Sequence, residues 1–136
     1  MLAIVAPGIS YINDRKNEWH NSSVIVRNVV QTINKSTSNF LKGKNLFFIN
    51  IPDNVLSPNS FFPSYIFRNG LKEAMELFGM NQAASVKLLK LKGVKWQCAY
   101  EFEISIEDLK TLLPDKENIV FIFDPMKGTI VRISKL

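Results

Sequence analysis

Apolar residues recur at spacings of three and four positions along the first part of the chain, from Asp14 onward. This spacing predicts an amphipathic helix with one buried face. The expected buried residues are Trp19, Val26, Val29, Val30 and Ile33. Asn13 or Asp14 can cap the start of this helix, and Gly43 can end the segment.

Two later stretches, 46–51 and 119–123, are apolar at every position but Asn50. Such runs are typical of strands that are covered on both faces. Pro52 ends the first run because proline has no backbone N–H to donate to a ladder. Apolar residues at 84–92 and 129–134 predict two further strands.

Strict alternation marks the segment from Trp96 to Ser105. Apolar side chains occupy the even positions and mostly polar side chains the odd ones, which predicts a strand with one solvated face. Because Gly93 allows a tight turn, we expect this strand to form an antiparallel hairpin with 84–92. Lysines in 87–95 can then pair with Glu101 and Glu103 across the ladder.

Two helices complete the predicted order of elements. The first enters at Asn69 and Gly70 and carries an apolar stripe of Leu71, Ala74, Met75 and Phe78. Ser105 and Asp108 fit a capping box for a short second helix that Pro114 closes. The order predicts an α/β (α+β) fold: one domain over 1–136, with a single mixed sheet of about five strands and helices mainly on one face.

Composition restricts the chemistry. The chain has 136 residues, a hydrophobic fraction of 46% and a formal net charge of +5, so one sizeable core is expected. Cys98 is the only cysteine and His20 the only histidine, which excludes an internal disulfide and a cysteine zinc cluster and disfavours cysteine–histidine catalysis. Without a basic motif interleaved with aromatic residues, we expect no nucleic-acid partner. No glycine-rich phosphate loop or metal-ligand spacing indicates a cofactor.

A candidate site lies where the two fully apolar strands end. Each strand is followed by an aspartate next to a proline, and ligands of open α/β sheets gather beyond the carboxyl ends of strands. The candidate residues are Asp53, Asn54, Arg68, Asn69, Gly70 and Asp124. They can organise the loop or bind an anionic group such as a sugar phosphate or lipid headgroup. We expect Arg68 to fold back onto the turn at 52–54.

The stretch "NIPDN", followed after a spacer by "YIFRNGLKEAMELF", resembles the soluble C-terminal domain of bacterial polytopic membrane glycosyltransferase-like proteins, of the type that uses lipid-phosphate-linked mannose. The likeness covers Asn50 to Phe78 well and Asp14 to Val30 loosely. It implies a domain on the extracytoplasmic face that docks onto, or binds acceptor for, the membrane portion of the same polypeptide. Catalytic carboxylates of such enzymes lie elsewhere, so the resemblance implies no catalytic residue here.

Residues 1–13, "MLAIVAPGISYIN", allow two interpretations, an edge strand or the end of a membrane span. Two functions other than the one that the resemblance implies also stay open. The domain can be a self-standing interaction module that binds a protein through the polar face of 97–105. Less favoured is a small enzyme that uses Asp53 and Asp124.

Overall fold

The computed structural model describes residues 2–37, 42–55, 63–67, 70, 71, 73, 74 and 83–135; within the first helix, side chains are described from Gly8 to Lys35. The described helices are α1 (Leu2–Thr37) and α2 (Ile106–Leu112). The strands are β1 (Asn45–Ile49), β2 (Asn54–Val55), β3 (Ser64–Tyr65), β4 (Ser85–Leu91), β5 (Phe102–Ile104), β6 (Asn118–Asp124) and β7 (Thr129–Ile133).

Five strands form the main sheet in the order β5-β4-β1-β6-β7. Strand β1 lies at the centre and pairs in parallel with β4 on one side and β6 on the other. Strand β7 returns antiparallel to β6, as the sequence predicts for a hairpin. The predicted α/β fold with a five-stranded mixed sheet is therefore confirmed. Strands β2 and β3 form a separate antiparallel pair.

Alternate side chains of β1 enter two cores on opposite faces of the sheet. Leu46 and Phe48 join the cluster beneath α1, where the ring of Phe48 stacks on that of Phe121 at 5.3 Å between centroids. Phe47 and Ile49 join the second cluster, which Leu109 of α2 closes. Because both faces of β1 are covered, the strand is apolar from Leu46 to Ile49. Most of the described helical residues belong to α1, which covers the face of the sheet that carries the first cluster.

Helix α1 begins well before the predicted start at Asp14. It runs through Pro7 and Gly8, so the edge-strand interpretation of residues 1–13 is wrong. Proline removes one hydrogen bond near the end of a helix of 36 residues, and cooperative propagation over the remaining turns offsets that loss. Among the described residues, none of the helices combines the length and apolar character needed to cross a membrane.

The buried face of α1 is also turned relative to the prediction. Val29 and Ile33 are fully buried, as expected, but the Trp19 side chain is 64% exposed and Glu18 takes the inward position. An ion pair of 2.7 Å between Arg15 Nη1 and Glu18 Oε2 compensates the buried charge. Glu18 Oε2 also accepts a hydrogen bond from Ser64 of β3 at 3.4 Å. The neighbour at this point is polar, so a paired carboxylate fits where the indole was expected.

The segment 94–101 does not form the predicted long strand, and β5 pairs parallel to β4 rather than in an antiparallel hairpin. The segment instead crosses the end of β1, where Ala99 N donates to Ile51 O at 2.9 Å and Asp53 N donates to Gln97 O at 3.1 Å. These bonds flank an antiparallel bridge between Pro52 and Cys98. The bridge position needs no N–H from Pro52, so the proline is accommodated.

Several local predictions hold. Ser105 and Asp108 form the reciprocal capping box at the start of α2. Lys90 Nζ lies 3.2 Å from Glu103 Oε1, which confirms an ion pair between the lysine group and the following strand. Leu71 is buried in the α1-side core, and Ala74 N donates to Gly70 O at 2.8 Å in a first helical turn. Met75 and Phe78 lie outside the described residues.

Candidate functional site

A pocket of about 350 Å³ opens at the carboxyl ends of β1 and β4. We call it the aromatic pocket. Its lining residues are Asp53, Tyr65, Lys90, Lys95, Trp96, Gln97, Cys98 and Tyr100. They come from the turn after β1, from β3, from the end of β4 and from the crossing segment 94–101. A parallel sheet brings the ends of β1 and β4 to one edge, which is where α/β folds hold ligands.

Asn50 joins the strand ends beneath this pocket. It follows β1 with a φ of 58°, a left-handed conformation that asparagine tolerates better than most residues. Its side-chain Oδ1 accepts the backbone N–H of Leu91 at 2.9 Å, and its own N–H donates to Leu89 O at 2.9 Å. Its carbonyl accepts the indole Nε1–H of Trp96 at 3.4 Å. One buried residue therefore holds β1, β4 and the pocket indole together.

The polar side of the pocket is built on the turn predicted from the sequence. Asn54 Nδ2 donates to Asp53 Oδ2 at 3.3 Å and also to Gln97 Oε1. Asp53 thereby contacts the crossing segment through both its backbone and its neighbour's amide. The second carboxylate oxygen, Oδ1, is buried and has no hydrogen-bond partner among the residues that the structure describes. A buried acceptor without a hydrogen-bond partner is energetically costly.

Three aromatic side chains of the pocket keep much of their surface in solvent: Tyr65 at 53%, Tyr100 at 48% and Trp96 at 41%. The ammonium of Lys90 lies 5.3 Å from the centroid of the Tyr100 ring, within the range of a cation–π contact. The hydrogen bond from Lys90 to Glu103 raises the pKa of Lys90, so its charge is stable at neutral pH. Lys95 is exposed and has no ion pair within the described part of the chain.

Cys98 lies in the pocket wall but is not suited to nucleophilic chemistry. Burial raises the pKa of its thiol to about 11, although the charge of Lys90 acts in the opposite direction. The thiol therefore stays protonated at neutral pH, and the thiolate is the nucleophilic form. Its Sγ contacts the carbonyl oxygen of Trp96 at 3.6 Å. Cys98 is therefore a small buried residue of the pocket wall.

Of the other site residues predicted from the sequence, those that the structure describes do not line the aromatic pocket with Asp53. Asp124 is the last residue of β6 at the same edge, but its carboxylate accepts the N–H of Met126 at 3.0 Å and lies 3.5 Å from Lys127 Nζ in the β6–β7 turn. It does not line the aromatic pocket. Gly70 begins a helical turn. Arg68 and Asn69 lie outside the described residues, so the predicted contact of Arg68 with the turn stays a prediction.

Asn50 and most of the pocket lining are not predicted from the sequence. A signal for Asn50 is present, since a single amide directly after a run of buried apolar residues needs hydrogen-bond partners. Alternation assigns Trp96 and Tyr100 to the apolar face of a strand, because alternation alone cannot show that a segment leaves the sheet. Within the described residues, no group of three His, Cys, Asp or Glu side chains is placed to hold a metal ion.

Comparisons with models of protein families, with curated proteins and with solved structures found no significant match to the chain. The aromatic pocket and the resemblance of the "NIPDN" stretch are therefore the two features that bear on function.

Proposed function

We propose that this chain is a non-catalytic domain of a membrane glycosyltransferase-like protein, in which it binds an acceptor beside the membrane portion of the same polypeptide. The stretch that carries the resemblance, "NIPDN", supplies Asn50, Asp53 and Asn54. These residues build the base and the polar wall of the aromatic pocket. The motif and the pocket thus coincide at one edge of the sheet.

The observation that carries this proposal is the chemistry of the pocket lining. Three half-exposed aromatic rings, an amide and two lysines can orient a polar ligand. The single thiol is protonated, and the two aspartates predicted at this edge serve different turns. Together these groups are suited to hold a molecule in place. The transfer chemistry of the proposed protein belongs to its membrane portion.

Helix α1 supplies a means of attachment. At 1.5 Å per residue its 36 residues extend for about 54 Å. Beyond the part that packs on the sheet, Ile9, Tyr11 and Ile12 present apolar side chains to solvent. Exposed apolar residues close together on one element are common at interfaces. In this proposal they contact the membrane portion of the polypeptide.

The test uses the full natural polypeptide, carrying a C-terminal tag. We expect it to stay in the membrane fraction after an alkaline carbonate wash, and to transfer sugar from a lipid-phosphate donor. A paired substitution in the pocket, Trp96→Ala with Tyr100→Ala, is expected to weaken acceptor use while leaving membrane retention unchanged. Trp19→Ala is the matched control, because this indole is exposed and outside the pocket. Recovery of the natural polypeptide entirely in the soluble fraction would contradict the proposal.

A second function, a protein-interaction module, is favoured by one observation. Strand β5 lies at the edge of the sheet, and Phe102 is 60% exposed beside Glu101 and Glu103. An aromatic side chain flanked by charges is typical of a small protein-binding surface. Charge reversal at Glu101 and Glu103 is expected to abolish capture of a stoichiometric partner if this function is correct. Unchanged capture would count against it.

A further inference from the structure

We propose that the aromatic pocket binds an acidic saccharide, meaning a pyranose ring that carries one carboxylate or phosphate group. This inference rests on the proposed function, since it names the class of acceptor. Two lysines against one aspartate give the lining a positive excess. The volume of about 350 Å³ lies at the small end of ligand pockets, which suits one small molecule rather than an extended polymer.

The pocket lining contains both aromatic and polar side chains, a combination that suits a sugar ring. A pyranose has apolar C–H faces and a rim of hydroxyl groups. The rings of Trp96 and Tyr65 can pack against such a face, while Gln97, whose Oε1 accepts from Asn54, presents its amide nitrogen to hydroxyls. A purely apolar ligand would cover the exposed polar groups of Lys95 and Gln97 without replacing their hydrogen bonds to water, at a cost in affinity.

Lys90 and Lys95 are not equally placed to pair with an anionic ligand. Lys90 is already held by Glu103 at 3.2 Å and lies over Tyr100. Lys95 has no ion pair within the described residues and is exposed at the pocket rim. An anionic substituent on the sugar therefore pairs mainly with Lys95. The indole of Trp96, which is 41% exposed, can then pack against the sugar ring.

The backbone argues against a nucleotide. Phosphate chains of nucleotides are usually cradled by several free backbone N–H groups. Of the lining residues, Asp53 already donates its N–H to Gln97 O, and the adjoining residues Leu91, Ala99 and Glu101, outside the lining, donate to Asn50 Oδ1, Ile51 O and Leu88 O. Lysine side chains are thus the cationic groups on offer, which fits one dispersed negative charge better than a diphosphate.

Trp96 provides a direct readout. The sequence has two tryptophans, and the other one, Trp19, lies on α1 outside the pocket lining. In the full chain carrying Trp19→Phe, fluorescence of Trp96 is followed during titration with glucuronate, glucose 1-phosphate, glucose, inorganic phosphate and AMP. We expect saturation with the two acidic sugars, and about two- to fivefold weaker binding of glucose, the range of a partly exposed ion pair.

Two pairs of variants make the test specific. Lys95→Gln is expected to reduce the affinity for acidic sugars to that for glucose. Lys116→Gln removes the same charge at the opposite edge of the sheet and is expected to leave the affinity for acidic sugars unchanged. Tyr100→Leu is expected to weaken binding of all three sugars, while Phe102→Leu, a neighbouring exposed aromatic outside the lining, is not. Circular dichroism verifies that each variant is folded.

The alternative outcomes are separable. The relative affinities of glucuronate and glucose 1-phosphate identify the preferred anionic group, and tighter binding of either supports the proposal. Tighter binding of AMP than of any sugar, equal binding of phosphate and glucose 1-phosphate, equal binding of glucose and the acidic sugars, or no saturable response would each overturn it. Binding to this chain is independent of membrane retention, so failure here and failure of the proposed function are distinguished by the carbonate wash.

Discussion

The side-chain Oδ1 of Asn50 accepts the backbone N–H of Leu91 at 2.9 Å and so joins the ends of the central strand and its neighbour. Asn50 is buried and left-handed, with φ at 58°. The contact lies directly beneath Trp96, whose indole donates to the Asn50 carbonyl. One amide therefore connects the stability of the sheet with the geometry of the pocket.

Substitutions of Asn50 distinguish the contribution of its side-chain hydrogen bond from that of its left-handed backbone. Asn50→Gly keeps the left-handed backbone accessible but leaves the Leu91 N–H unpaired, so we expect a loss of about 1–2 kcal/mol in the free energy of unfolding. Asn50→Ala loses the same hydrogen bond and, unlike glycine, keeps a Cβ in a left-handed conformation, which is expected to cost about 1–2 kcal/mol more. Urea unfolding measures both values. The exposed Asn21→Ala is the control, and equal stability of all three variants would contradict this role.

The stacked pair of Phe48 and Phe121 is expected to dominate the core beneath α1. Both side chains are fully buried, so Phe121→Ala removes a large apolar group and leaves a cavity. We expect a loss of about 3–5 kcal/mol in the free energy of unfolding. Phe102→Ala deletes the same atoms at an exposed position and is expected to change stability by less than about 0.5 kcal/mol. A similar effect of both substitutions on the urea midpoint would refute the assignment of the core.

The capping box of α2 is expected to depend on pH. Hydrogen bonds from the backbone and side chain of Ser105 lower the pKa of Asp108 below its ordinary value of 3.8. A carboxyl with a lowered pKa in the folded state stabilises the fold above the unfolded pKa, and this contribution disappears as the pH falls through the folded pKa. The difference in melting temperature between the natural chain and Asp108→Asn should therefore be constant near neutral pH and vanish below pH 3.8. Glu107→Gln, in the same helical turn, serves as the control.

Cys98 is expected to react slowly with thiol reagents. Burial raises the pKa of its thiol from 9.0 to about 11, so the thiolate is scarce at neutral pH. Because Cys98 is the only cysteine, alkylation by iodoacetamide followed by mass spectrometry reports this site alone. The rate should keep rising as the pH passes 9.0, whereas the urea-unfolded chain should level off near that value. A rate in the folded chain equal to that of the unfolded chain at neutral pH would show that the thiol is neither buried nor perturbed.

Local signals in the sequence predicted the frame of the fold because each depends on neighbouring residues. The uninterrupted apolar runs of β1 and β6 reflect strands covered on both faces, and the Ser105–Asp108 box acts within one turn. Each of these patterns involves residues that are close together in the sequence. They can therefore be recognised without knowing which distant segments pack together.

The pocket could not be predicted in the same way because its groups meet only through long-range pairing. Gln97 reaches Asp53 across more than forty positions of sequence, and only after the segment 94–101 has left the sheet. Alternation of apolar and polar residues does not reveal that departure. Trp19 and Glu18 show the same limit, since an ion pair with Arg15 and a polar neighbour on β3 decide which of them is buried.

Strand β1 pairs with its neighbours in the sheet along its whole length, whereas the residues after it contact the crossing segment at only a few points. We expect the second contact to open more easily. All five residues of β1 are paired on both sides, so their amide protons should exchange with solvent only when the whole domain unfolds. The crossing segment is held against 51–53 by two backbone hydrogen bonds and can detach in a local fluctuation that leaves the sheet intact. Faster amide exchange at Ala99 than at Phe48 would mark that fluctuation. Such a difference would mean that the pocket wall at 97–99 opens locally while the strands that position it stay paired.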